Sequence, residues 1–126
     1  MTSPNLEIQN TRFADAVATY LSAFGLPVTA RQKKKQGTLA KSFLEEELAE
    51  LGDIYGLKNF SFIVNAVRRF RPGTYVPLAT GTARLDGKRY GIYIQQAPDA
   101  PLSGSHVTMS LDSFAEIAAR LEAAEK

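Results

Sequence analysis

The 126-residue sequence has no cysteine and a single histidine, His106. The first absence removes disulfides, thiolate nucleophiles and cysteine-based zinc sites. The second rules out a cluster of imidazole metal ligands and leaves a Ser-His-Asp arrangement without support. No apolar run is long enough to cross a bilayer, so no membrane partner is expected. No charged, apolar and small-residue succession marks a secretion signal at the start, so the expected location is the cytoplasm. There is no glycine-rich phosphate loop followed by Lys-Ser/Thr, and no pair of histidines at zinc-binding spacing. Net charge is low, at +2, so the placement of charge says more about partners than its sum. Length and composition fit one soluble globular domain over residues 1–126, and neither a repeat nor an interdomain linker is visible.

What the chain does have is a strand-like run bounded by turn signals. Phe60 to Val67 holds Phe, Ile and Val with no proline or glycine inside. Alternation puts Phe60, Phe62, Val64 and Ala66 on one face and Ser61, Ile63, Asn65 and Val67 on the other. The turn Gly52-Asp53-Ile54-Tyr55-Gly56 precedes it, and Arg68, Arg69 and Arg71 close it.

Residues 1–9 give little signal and read as a mobile end. Asn10 or Thr11 is placed to cap a helix from Arg12 to Phe24, with Phe13, Ala16, Val17, Tyr20, Leu21 and Phe24 as its apolar stripe and Gly25 as its end. Leu26 to Ala30 reads as a short strand. A basic patch follows (Arg31, Lys33, Lys34, Lys35, then Lys41). Leu39 to Leu51 has roughly helical apolar spacing and carries Glu45, Glu46, Glu47 and Glu50. Pro77, Gly81 and Gly87 argue against a long helix between Thr74 and Lys88, and Asp86-Gly87 is a two-residue hairpin signal between Thr82–Leu85 and Lys88–Ile94. Tyr90 to Gln95 reads as a buried strand, Pro98 to Ser105 as a loop and His106 to Met109 as a short strand. Ser110 caps a last helix with Phe114, Ile117, Ala118 and Leu121 on its apolar face.

The Gly52–Gly56 turn leading into the Phe60–Val67 strand resembles the core of the PD-(D/E)xK nucleases, and in particular the Holliday-junction-resolvase-like proteins of actinobacterial phages. The ending Val107-Thr108-Met109-Ser110-Leu111-Asp112-Ser113-Phe114 is similar to their closing strand and helix. The resemblance implies an α/β, restriction-endonuclease-like fold, a small mixed sheet flanked by helices. Its central strand would be Phe60–Val67, with neighbours from Val28, Tyr90 and Val107, and the family places a helix where Thr74–Lys88 argues for a hairpin. In the family an Asp in the turn and a Glu-x-Lys on the strand hold a divalent metal and polarise the water or phosphate. Here the turn keeps Asp53, but the Glu position is Ile63 and the Lys position is Asn65.

Mg²⁺ prefers several carboxylate ligands in octahedral geometry, and Asp53 alone supplies one. Asn65 carries no charge and cannot replace an electrostatic group often worth ~3 kcal/mol in the transition state. The resemblance therefore implies a nuclease-like protein of phage type with an impaired catalytic site, holding no cofactor. It would bind DNA through backbone phosphates by way of Arg31, Lys33, Lys34, Lys35, Lys41, Arg68, Arg69 and Arg71, with Asp53 as the residual catalytic position. Two alternatives stand beside it. One is an active Mg²⁺-dependent endonuclease with ligands relocated to Glu45, Glu46, Glu47 or Glu50. The other is a protein-interaction module in which Ile63 and Phe43 fill the former cleft. Pairing of two chains is a common trait of related nucleases and is a further expectation.

Overall fold

The computed structural model describes residues 4–31, 52–66, 71–97 and 99–125. Among the described residues five short strands form one mixed sheet: β1 (Thr29–Ala30), β2 (Ile54–Tyr55), β3 (Phe60–Asn65), β4 (Tyr90–Gln95) and β5 (His106–Thr108). They lie side by side in chain order. β1, β2 and β3 are successively antiparallel, β3 and β4 are parallel, and β5 returns antiparallel to β4. The described helices are α1 (Pro4–Ser22), α2 (Pro72–Leu85) and α3 (Leu111–Ala124). The α/β class and the mixed sheet agree with expectation. Of the expected neighbours of the central strand, Tyr90 is in place on β4, but the other flank is β2, and the Val28 and Val107 segments each stand one strand further out. Ile54-Tyr55 is strand rather than turn. It pairs with β1 on one side and β3 on the other, which gives its backbone groups partners in both directions.

The alternation along β3 decides the two faces. Phe60, Phe62 and Val64 join Tyr90, Ile92 and Ile94 of β4 in the hydrophobic core, against Phe13, Ala14, Val17 and Ala18 of α1. α1 starts well before the expected Arg12, at Pro4. Asn10 is no cap but lies inside the helix, where its Oδ1 accepts the Ala66 N–H at 2.7 Å and ties α1 to the end of β3. The buried stripe is also rotated. The small Ala14 and Ala18 face the sheet and permit close approach, whereas Tyr20 and Phe24 stay outside as an edge-to-face pair with centroids 5.3 Å apart.

The expected hairpin over Thr82–Ile94 is instead the end of α2 followed by β4. Asp86-Gly87 terminates the helix, with Gly87 at φ +70° and the Lys88 N–H returning to the Ala83 carbonyl at 2.8 Å. Two parallel neighbours need a crossover, and α2 supplies it between β3 and β4. Pro77 forfeits the hydrogen bond to residue 73, where glycine leaves the space around that backbone open. Burial offsets the loss: Ala79 and Ala83 are 0% and 2% exposed against the sheet. Gly91 makes this contact possible, because a Cβ there would stand 2.2 Å from the Ala79 carbonyl oxygen. α3 begins at Ser110 as expected, its Oγ accepting the Ser113 N–H at 3.1 Å. None of its residues is buried.

Candidate functional site

The site is built on the sheet face opposite α1. The register Ile54↔Phe62 puts Asp53 beside Ile63, and the register Ile63↔Tyr93 and Asn65↔Gln95 continues the rows onto β4. Asp53, Ile63 and Tyr93 thus form one row across three strands, and Asn65 and Gln95 form the next. The three positions that carry the nuclease resemblance, Asp53, Ile63 and Asn65, do share a face.

The segment that holds Asp53 at the entry to β2 owes its shape to its glycines. A Cβ on Gly52 would come 2.7 Å from Ser61 Oγ and 3.1 Å from the Phe62 carbonyl oxygen. Gly56, at φ +123°, lets the chain pass the Pro27 carbonyl, which a Cβ would approach to 2.2 Å. Between them Asp53 is held by its backbone on both sides: its N–H donates to Phe62 O at 2.7 Å, and its carbonyl accepts the Arg31 N–H at 2.8 Å. Its Oδ2 accepts the Val64 N–H at 2.9 Å, so the carboxylate caps a backbone donor in the middle of β3. Burial pushes its pKa above the ordinary carboxylate value, with the Val64 N–H and the Arg31 guanidinium acting in opposition.

Arg31 turns inward. Its Nε donates to the Gly52 carbonyl at 3.0 Å, and its Nη2 is buried without a hydrogen-bond partner among the described residues. Ser61 Oγ, also buried on this face, likewise has no partner.

The other end of the face is polar but uncharged. Tyr93, Asn65 and Gln95 are among the most deeply buried side chains, 0%, 2% and 2% exposed. The Tyr93 hydroxyl donates to Gln95 Oε1. Burial raises the Tyr93 pKa, while hydrogen bonds from the Asn65 side chain and the Arg71 backbone act to lower it. Tyr75 of α2 stacks on Tyr93 with ring centroids 5.0 Å apart. The neutral amide of Asn65 therefore belongs to a packed hydrogen-bond network, and one ring face of Tyr75 is covered by Tyr93. Tyr55 is half-buried.

Of the expected DNA-binding residues, Arg31 and Arg71 are in view, half-buried and exposed respectively. Lys33, Lys34, Lys35, Lys41, Arg68 and Arg69 lie outside the described residues, as do Phe43 and the glutamates from Glu45 to Glu50. Among the described residues no three His, Asp or Glu side chains gather where they could hold a metal ion. No described helix is long and apolar enough to cross a membrane.

No family model, curated protein or solved structure matches this chain.

Tyr93, Gln95, Ser61 and Asn10 had no place in the sequence-based site. Alternation in Tyr90–Gln95 signals which residues share a face. Only the parallel pairing of β3 with β4 reveals that this face meets Asp53 and Asn65.

Proposed function

We propose that this chain is a nuclease-like scaffold of the restriction-endonuclease-like class that has lost hydrolytic chemistry and binds nucleic acid through backbone phosphates. The observation that carries the reading is the row Asp53–Ile63–Tyr93 and what is fixed to its two ends. Arg31, the first residue of the basic run that continues through Lys35, is hydrogen-bonded to Gly52 and Asp53. Arg71, the last of the Arg68–Arg71 cluster, is tied by its backbone to Tyr93. Arg31 and Arg71 thereby stand at the two ends of that row, an arrangement suited to contacts with two stretches of phosphate backbone. Support for the class comes from the mixed sheet, from a crossover helix between two parallel strands, and from an acidic residue entering β2 beside the central strand. Support for lost catalysis comes from Ile63 and Asn65 at the acid and amine positions, and from a carboxyl already committed to a backbone N–H.

Electrophoretic mobility of duplex and four-way-junction DNA across a salt series tests this. Five or six phosphate contacts give a log–log slope of about −5, reduced by about one unit in Arg71→Ala. Absent or salt-independent binding at low ionic strength refutes it. Cleavage of either DNA with Mg²⁺ or Mn²⁺, abolished in Asp53→Ala, favours the relocated-ligand endonuclease instead.

A further inference from the structure

The inner side of α2 is accounted for by Ala79 and Ala83, buried against the sheet. Its outer side is not. Leu78 and Leu85 are 49% and 80% exposed. Two helical turns separate them, so they stand on one solvent-facing ridge. A single exposed leucine is ordinary, but these two frame a gap. Gly81 between them is exposed, and a Cβ added to it would meet nothing within 4 Å. Thr82 is half-buried beside it. Residues at i, i+3, i+4 and i+7 are the four that bound a hole for a bulky side chain of a facing helix. Leu78, Gly81, Thr82 and Leu85 are such a set, and the glycine leaves one corner of the hole open. Glycine inside a helix is destabilising relative to alanine. Among the described residues no side chain uses the space that it leaves.

Charge narrows the occupant. From Pro72 to Leu85 the helix has no acidic residue. Arg84 is exposed and flanks the hole, one residue before Leu85. Coiled-coil helices use that position to pair charges with a partner. Among the described residues Arg84 makes no ion pair. Over the wider segment from Arg71 to Lys88, three cations stand against one acid, Asp86. We infer that the outer ridge of α2 is a docking surface for an acidic amphipathic helix of a partner protein. That helix seats one large apolar side chain in the hole between Leu78 and Leu85 and sets a carboxylate against Arg84. A second copy of α2 does not meet this description, because it brings arginine to arginine and carries no carboxylate. Nucleic acid does not meet it either, because two leucines and a glycine give a phosphate backbone nothing to pair with beyond Arg84. The contact is far smaller than the ~800 Å² that each partner contributes to a standard interface. Its affinity follows from one seated side chain and one ion pair, with a dissociation constant on the order of 10–100 μM. The inference does not rest on the phosphate-binding reading.

The probe is a labelled synthetic peptide of three heptads, with leucine at the a and d positions and glutamate at e and g. Its twin has lysine in place of every glutamate. Fluorescence anisotropy with the full chain should show saturable binding of the acidic peptide, roughly tenfold or more tighter than that of the lysine twin. Gly81→Leu fills the hole, keeps the ridge apolar and adds a better helix former. It should weaken binding of the acidic peptide by about tenfold or more, whereas unspecific apolar adsorption would grow stronger. Arg84→Glu should invert the preference between the two peptides, a result that an unfolded variant cannot produce. Circular dichroism checks the fold of both variants. The inference is overturned by absent saturation at millimolar peptide, by equal binding of the twins, or by wild-type affinity in Gly81→Leu. Self-association of the free chain that Gly81→Leu disperses would give the ridge to a second copy. DNA binding lost in the same variant would give it to nucleic acid, and either result overturns the assignment to a partner helix.

Discussion

Replacing Asp53 separates a structural carboxyl from a catalytic one. Its Oδ2 is the acceptor for the Val64 N–H at 2.9 Å, and Val64 is 5% exposed in the centre of the sheet. Asp53→Ala leaves that buried donor without an acceptor, a loss of ~1–3 kcal/mol. For a domain of this length, 1 kcal/mol corresponds to roughly 4 °C in Tm, so the alanine variant should melt roughly 4–12 °C lower. Asp53→Asn keeps an acceptor oxygen and removes the charge that burial disfavours. It should melt at or above wild type at pH 7. The pH dependence carries the sign. The folded-state pKa of Asp53 is raised from 3.8, so its favourable contribution is fully present below that value and is lost as pH rises through the folded pKa. The gap between wild type and the Asn variant should therefore close as pH falls toward about 4. Thermal melts of the three proteins from pH 4 to 8 decide it. An Asn variant that falls as far as the Ala variant would show that the charge itself, through Arg31, holds the turn, and the argument from burial would fail.

Gly91→Ala forces a Cβ to within 2.2 Å of the Ala79 carbonyl oxygen, so α2 must lift from β4. A loss of about 3 kcal/mol or more is expected in chemical denaturation. Asn10→Ala removes the acceptor for Ala66 N–H and should cost ~1–2 kcal/mol by the same assay, whereas an Asn10 that served only as a helix cap would tolerate Asp or Ser. Ser110→Ala loses the cap on Ser113 N–H and should cost ~1 kcal/mol, with fraying of α3 visible in hydrogen exchange. Ile63→Glu sets a second carboxyl beside Asp53. The variant should be destabilised in chelator and recover with Mn²⁺, by ~2.7 kcal/mol at a hundred times the dissociation constant. A melting temperature indifferent to Mn²⁺ would argue that the two side chains do not converge.

The sequence alone determined the elements whose signals are local. Alternation in Phe60–Val67 marked the central strand and told its core face from its polar face. Unbroken apolar character marked Tyr90–Gln95, and a serine before an amphipathic run marked the start of α3. The two glycines around Asp53 read locally as one turn, whereas in the packed chain they flank β2, one against Ser61 and the other against Pro27. Tertiary contacts decided whatever depended on partners distant in sequence. Proline and glycine in Pro72–Leu85 oppose a helix locally, and the helix forms because Ala79 and Ala83 gain burial against a glycine on β4. Tyr20 and Phe24 belong to a helical stripe by spacing, yet the sheet admits the smaller Ala14 and Ala18 instead. Asn10 reads as a cap in one dimension and becomes a cross-link to β3 in three. The polar face around Asp53 exists only because a parallel crossover lays β4 against β3. Register between strands far apart in the chain is set by packing rather than by local preference, which is why the tyrosine and glutamine beside Asn65 became visible only in the fold.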